Sequence, residues 1–350
     1  NKEAVEESLS KGAGINARCQ DEEYKYNNET ALIIASKKGF TDIAKLLIEK
    51  GADVNVKIVD TFTALYWAAR EGHTEIVKLL LDNGADISSN DALKYSARDG
   101  YIDIVKMLLD KGMDVKEGNV LGWAARGGHA NVVKLLLDRG ADVNATNYSS
   151  ETALFSAAGE GHTEVVELLL DRGANVNLTN NQSATALISA TRGGHIEVVK
   201  LLLDRGANAN VINEHGETAL NLAAIWGHVD TAKLLLDRGA NINEADHEGT
   251  IAIMLAVKEK QSDIIKLLAD KGANLNARNK TFGTPLISAV KDGSIDIAKL
   301  LLEKGANANV ADDNGTTALM IAAQKSQPDM INLLLDKGAN INAKDKKNKI

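Results

Sequence analysis

Five histidines, His73, His129, His162, His195 and His228, each directly follow a glycine, and His215 and His247 complete the seven in the chain. Imidazoles are frequent metal ligands and acid–base groups, so chemistry would be sought there first. A zinc site needs its ligands to converge within about 2.0 to 2.3 Å of one ion. Side chains that recur at one place in successive segments are instead spread along the chain. Their pattern is that of a residue supporting a turn between two helices, while His215 and His247 fall at loop tips. Cys19, the sole cysteine, has no histidine near it in sequence to activate it. There is no P-loop and no G-x-G-x-x-G following a strand, and the acidic residues recur at helix ends rather than paired for proton transfer. No catalytic residue, cofactor or metal is expected, and the chain reads as a non-enzyme.

A different constellation is better suited to binding. Two residues before each turn position stand Lys37, Arg70, Arg98, Arg126, Gly159, Arg192, Ile225, Lys258, Lys291 and Gln324. Seven of these ten are basic in a chain of net charge −8. Such a stripe either holds an acidic strand or is neutralised by its neighbours Glu71, Asp99, Glu259 and Asp292. Eleven of the thirteen aromatic residues precede residue 160. Tyr24 and Tyr26 lie in a long first loop and Phe62 and Tyr148 in later loops, where folding does not call for an aromatic ring, so they are candidate contact residues. Trp67, Tyr95 and Trp123 share one helical position and read as core filling. Ile225 and Trp226 stand where other segments carry mostly charged, polar or glycine residues. Trp226 therefore either meets a partner or folds onto Arg192 or Lys258 as a cation–π lid.

The elements that position these residues come from a repeat. The string G-A-x-x-N, as in Gly51–Asn55 and Gly140–Asn144, is marked by glycines at 12, 51, 84, 112, 140, 173, 206, 239, 272, 305 and 338. Successive spacings are 39, 33, 28 and 28, then 33 throughout. Each unit carries a small-residue helix pattern, T-A-L-x-x-A-A at Thr63–Ala69, and a second helix whose wide apolar face is Ile76, Val77, Leu79, Leu80 and Leu81. Acidic residues such as Glu75 open the second helix and basic ones such as Arg139 close it, in keeping with the helix dipole. The marker glycine supplies the left-handed stop. Helix pairs this short cannot bury their faces alone, so the stacked array is the stable unit.

A 33-residue period combining T-A-L-x-x-A-A, G-H-x-E-V-V-x-L-L-L and G-A-x-x-N resembles the ankyrin repeat over nearly the whole chain. The resemblance implies an all-α solenoid of helix–turn–helix repeats joined by β-hairpin loops. It would be a curved rod on the order of 100 Å long at about 8 to 10 Å per helix layer, binding partners on its concave face and hairpin tips. It also implies that Asn55 and Asn144, in the L-x-x-G-A-D-V-N context, are hydroxylation candidates. The family's T-P-L-H is nowhere complete, and only Thr284-Pro285-Leu286 keeps the proline. A single array is expected, with a half repeat at 1–18 and full repeats at about 19–57, 58–88, 89–116, 117–146, 147–179, 180–212, 213–245, 246–278, 279–311 and 312–344, then a tail at 345–350. The connections Gly84–Asp91 and Gly112–Asn119 span seven residues against twelve from Gly51 to Thr63, which predicts a notch in the hairpin wall around 85–118.

The remaining composition narrows the function. An acidic pI near 5.5 disfavours a general nucleic-acid surface. No apolar run reaches the length of a membrane helix, and the acidic, polar start is no secretory signal. The lone cysteine fits a reducing, intracellular compartment, with a secreted effector as the alternative. The expected protein is a monomeric, non-catalytic scaffold that binds another protein, one with an acidic segment. The alternative is the targeting segment of a larger protein or enzyme. The first helix pattern lacks a preceding partner, and Met330, Ile331 and Leu333–Leu335 keep an ordinary apolar face, so the array is expected to continue past its ends.

Overall fold

The computed structural model describes residues 2–18, 29–58 and 62–346. Among these are twenty-one α-helices, one 3-10 turn at Glu117–Asn119, and isolated β-bridges in place of strands. The fold is all-α, as the repeat predicts. The helices gather into two compact units, Asn1–Ala157 with Glu164–Asn175, and Ala158–Thr163 with Val176–Ile350. Cys19, Tyr24 and Tyr26 lie outside the described residues.

Each unit is a stack of helix pairs. In the pair Ala64–Arg70 and Thr74–Asp82, Thr63 adopts an extended backbone and its Oγ1 accepts the Tyr66 N–H at 3.2 Å, capping the first helix. Thr30, Thr185, Thr218, Thr284 and Thr317 cap in the same way. Ala68 and Ala69 let neighbouring first helices approach, and Ile76, Val77 and Leu80 fill the layer behind, all fully buried.

The histidines find their role in this stacking. His73, His129, His195 and His228 each precede a second helix at its N-cap. Each ring lies over the turn glycine of the pair before it: a methyl group on Gly39 would come within 2.6 Å of His73 Cε1, and Gly100, Gly161 and Gly194 are covered likewise. Those glycines have positive φ, so the left-handed turn and the space for the ring are one requirement. His195 Nε2 also donates to the Gly159 carbonyl at 3.0 Å. Gln261 and Gln327 take the same place and donate to Ile225 O and Val290 O. His195→Ala is expected to lower stability by about 1 kcal/mol, the ordinary worth of one such bond. Chemical denaturation checks this; an unchanged midpoint would mean that the ring is dispensable.

The asparagine of G-A-x-x-N joins one pair to the next. In the second unit the Oδ1 atoms of Asn177, Asn210, Asn243, Asn276 and Asn309 accept the backbone N–H of Asn208, Asn241, Asn274, Asn307 and Asn340 at 2.7 to 2.9 Å. Asn210 Nδ2 also donates to Gly239 O at 3.1 Å. In the first unit Asn16, Asn55 and Asn144 form the same rungs. Ser88 and Lys116 occupy the intervening positions. At the first of these junctions Asn90 substitutes, its Nδ2 donating to Asp114 O and Glu117 O, both at 3.1 Å. After several second helices the basic residue before the marker glycine pairs with an aspartate of the preceding repeat, as Arg139 with Asp110 at 2.9 Å and Lys271 with Asp237 at 2.8 Å. The Lys271 hydrogen bond holds the Asp237 carboxyl below its ordinary range. These pairs are exposed and screened, so they align neighbours more than they stabilise them.

From Asn147 onward the loops are tight turns around an Asx side chain. Asn147 Oδ1 accepts the N–H groups of Ser149 and Glu151, and Asn180 Oδ1 those of Gln182 and Ala184. Ser150 and Ser183 stand in the left-handed region at φ 59° and 57°, where the related turns at 213–216 and 246–249 have glycine. The two shortened connections keep seven residues from marker glycine to first helix, leading into the helix Asp91–Arg98 and, through the 3-10 turn Glu117–Asn119, into the helix Val120–Gly127.

Candidate interaction surface

The basic stripe lies at the C-terminal ends of the first helices. Arg70, Arg98, Arg192, Lys258 and Lys291 are final residues, and Lys37 and Arg126 fall within their last turns. Cations are favoured there by the helix dipole.

In the first unit the stripe interleaves with aromatic rings. The Lys37 ammonium lies 4.4 Å from the Trp67 ring centre and pairs with Glu29 at 3.0 Å. The Arg70 guanidinium lies between Trp67 at 5.3 Å and Tyr95 at 5.4 Å, and its Nη1 donates to Tyr66 Oη at 2.9 Å. Arg98 lies 5.0 Å from the Tyr95 ring and makes a two-pronged pair with Asp99 at 2.7 and 3.0 Å. Tyr95 meets Trp123 at 5.7 Å, and Tyr66 meets Tyr95 edge-on at 5.4 Å. Phe62 folds onto Tyr66 at 4.7 Å and Trp67 at 6.0 Å, so this loop ring is half-buried. Burial pushes the Tyr66 phenol above its ordinary value, with Arg70 opposing, and the Asp99 hydrogen bond raises Arg98 further. The face thus carries fixed cations and a neutral phenol.

Trp67, Tyr95 and Trp123 therefore differ from the core filling the sequence suggests. They are half-buried and stack against cations on the first-helix face. The signal was available: Trp67 and Arg70, Tyr95 and Arg98, and Trp123 and Arg126 are each three apart and share a helix face. Arg126 and Tyr148 line an open groove of about 580 Å³ with Trp123, Lys94 and Lys116, the two lysines not singled out by the sequence. Tyr148 is fully exposed.

In the second unit the candidates stand apart from one another. Arg192 pairs with Glu217 at 3.2 Å. Lys258 lies 5.5 Å from the Phe282 ring and Lys291 Nζ donates to Phe282 O at 3.5 Å, an aromatic anchor the sequence does not advertise. Trp226 is 58% exposed, with Ile225 beside it half-buried. Among the described residues no cation lies over Trp226.

No group of three or more histidine, cysteine, aspartate or glutamate side chains among the described residues could hold a metal. No helix among them is long and apolar enough to cross a membrane.

The sequence matches the family model described as "Ankyrin repeats (3 copies)" over residues 1–91, 89–147, 121–213, 154–246, 206–279 and 253–345. Among solved structures it is similar to the human ASB11 ankyrin repeat domain, at 28% identity and a TM-score of 0.56, over 63% of this chain and 98% of that one. A search of curated proteins returns no match.

Proposed function

The chain belongs to the ankyrin-repeat family, whose repeats are generally protein-interaction modules, and on that premise we propose that it is a non-catalytic scaffold that binds a partner protein through an acidic segment. The first-helix face of the first unit and its loops receive that segment. The observation that carries this reading is the alternating row Lys37, Trp67, Arg70, Tyr95, Arg98 and Trp123. Each cation is held by a ring or a carboxylate before any ligand arrives. Less side-chain freedom is then lost on binding, and ordering costs often decide affinity at interfaces. Guanidinium edges suit carboxylates and ring faces suit apolar side chains. A protein segment offers both, whereas a polyanion gains mainly by neutralising free cations, several of which are already paired. Glu29 and Asp99 offset part of the charge, so the partner's carboxylates add to a face that is basic only in net.

Affinity capture from cell extract with the native chain and with Arg70→Glu tests the reading. A partner with an acidic segment should be retained by the native chain and weakened at least about tenfold by the reversal, which sets like charges against each other, while the thermal midpoint holds. Capture of the same proteins by both forms would remove the row from the interface.

A further inference from the structure

We propose that the notch left by the two shortened connections is a docking groove for an extended acidic peptide segment of a partner protein; this rests on the protein-binding reading above and locates where the segment crosses the loop wall. An ordinary marker-to-marker spacing is 33 residues, and from Gly84 to Gly112 and Gly112 to Gly140 it is 28, so five residues are missing twice in succession. The space they vacate is the groove of about 580 Å³, within the 300 to 1,000 Å³ usual for ligand sites.

Its floor is specific to this place. Gly122 occupies the position filled by Ile33, Tyr66, Lys94, Phe155 or Met254 in other repeats, and the Asn119 amide lies where a side chain on it would go. Gly118, at φ 71°, leaves room for the Lys94 stem to lie across it. Asn119 itself holds a left-handed backbone at φ 53°. Trp123 and Tyr148 give the groove two aromatic walls.

Its charge selects the occupant. Lys94, Lys116 and Arg126 line it against one carboxylate, Glu151, which already accepts the Asn147 Nδ2 hydrogen bond at 2.9 Å. Lys94 pairs with Asp91 at 3.1 Å, and Lys116 is exposed with no ion-pair partner among the described residues. A local cationic excess in a chain of net charge −8 attracts carboxylates and excludes basic segments. The groove continues the Tyr95–Trp123 stack, so a strand lying on the first-helix face can leave over the wall here, where a full hairpin would block it.

A random peptide library displayed on phage, panned against the full chain, tests this. The selected peptides should be rich in aspartate and glutamate around an aromatic or leucine residue. Their binding should fall about tenfold or more, near 1.4 kcal/mol, in the double variant Lys116→Glu, Arg126→Glu. It should fall equally when the polar tip sequence 180–184 is inserted between Lys116 and Glu117 to rebuild the missing hairpin, with the thermal midpoint held. Acidic peptides that bind the insertion variant as tightly as the native chain, yet are lost with Arg70→Glu, overturn the groove and leave the protein-binding reading standing. Selection without acidic enrichment, or displacement of the peptides by a single-stranded oligonucleotide, overturns both.

Discussion

Gly127→Ala is expected to destabilise the first unit by about 2 kcal/mol, although alanine is the better helix former. Gly127 ends the helix Val120–Gly127. A methyl group on it would overlap the Arg98 carbonyl oxygen and come within 2.8 Å of the carbonyl carbon. The obstacle is backbone, so no rotamer change relieves it and the two helices must separate. Overpacking of this kind costs about 1 to 3 kcal/mol and sometimes more, against a gain of up to about 1 kcal/mol from helix propensity. Matching positions carry Glu71, Asp99, Glu259 and Asp292, and glycine recurs at Gly193, where a methyl group would stand 3.1 Å from the Gly159 carbonyl oxygen, so the tight backbone approach is particular to Gly127. Urea unfolding followed by tryptophan fluorescence reads it, since Trp67 and Trp123 both lie in this unit. A midpoint at or above the native one would show that the helices part without penalty.

Trp226→Ala should cost at least about 2 kcal/mol of partner affinity, the scale of an interface hot spot, with the thermal midpoint nearly unchanged. The indole is 58% exposed at the end of the helix Ala219–Trp226. Arg192 is directed to Glu217 and Lys258 to Glu259 and the Phe282 ring, so neither covers it as a lid. Apolar surface left in water forgoes about 25 cal/mol per Å² that a partner would recover. Calorimetric titration with a captured partner decides the matter. Normal affinity would take Trp226 out of the interface, and early unfolding would make it a packing residue.

The fold was legible because its signals are local and repeated. Thr63 before Ala64-Leu65, the apolar run at Ile76–Leu81 and Gly84 after it define start, face and stop within one unit. The shortened connections were legible too, since a deletion between fixed markers can only come out of the loop. The roles of His195 and Asn210 were not, because each acts on the neighbouring repeat: His195 reaches back 36 residues to Gly159, and Asn210 forward 31 to Asn241. Spacing alone does not say that a loop amide serves the next loop. The candidate surface was half legible. The basic stripe stood out by its contrast with the net charge, whereas Phe62 was read as a free loop ring and packs on Tyr66. Whether such a ring projects or folds down depends on the aromatic partners of two successive helices, a three-dimensional fact.

The asparagine rungs give the second unit an internal gauge. The amide protons of Asn208, Asn241, Asn274, Asn307 and Asn340 are held by a side chain of the preceding repeat, not by a helix of their own. A repeat can part from its neighbour with both its helices intact, and these protons would then meet solvent. In hydrogen exchange their rates follow the sliding apart of layers, while the helix amides between them follow the melting of each layer. One molecule thereby reports coupling and intrinsic stability, the two quantities that govern a linear array, at separate positions along its chain.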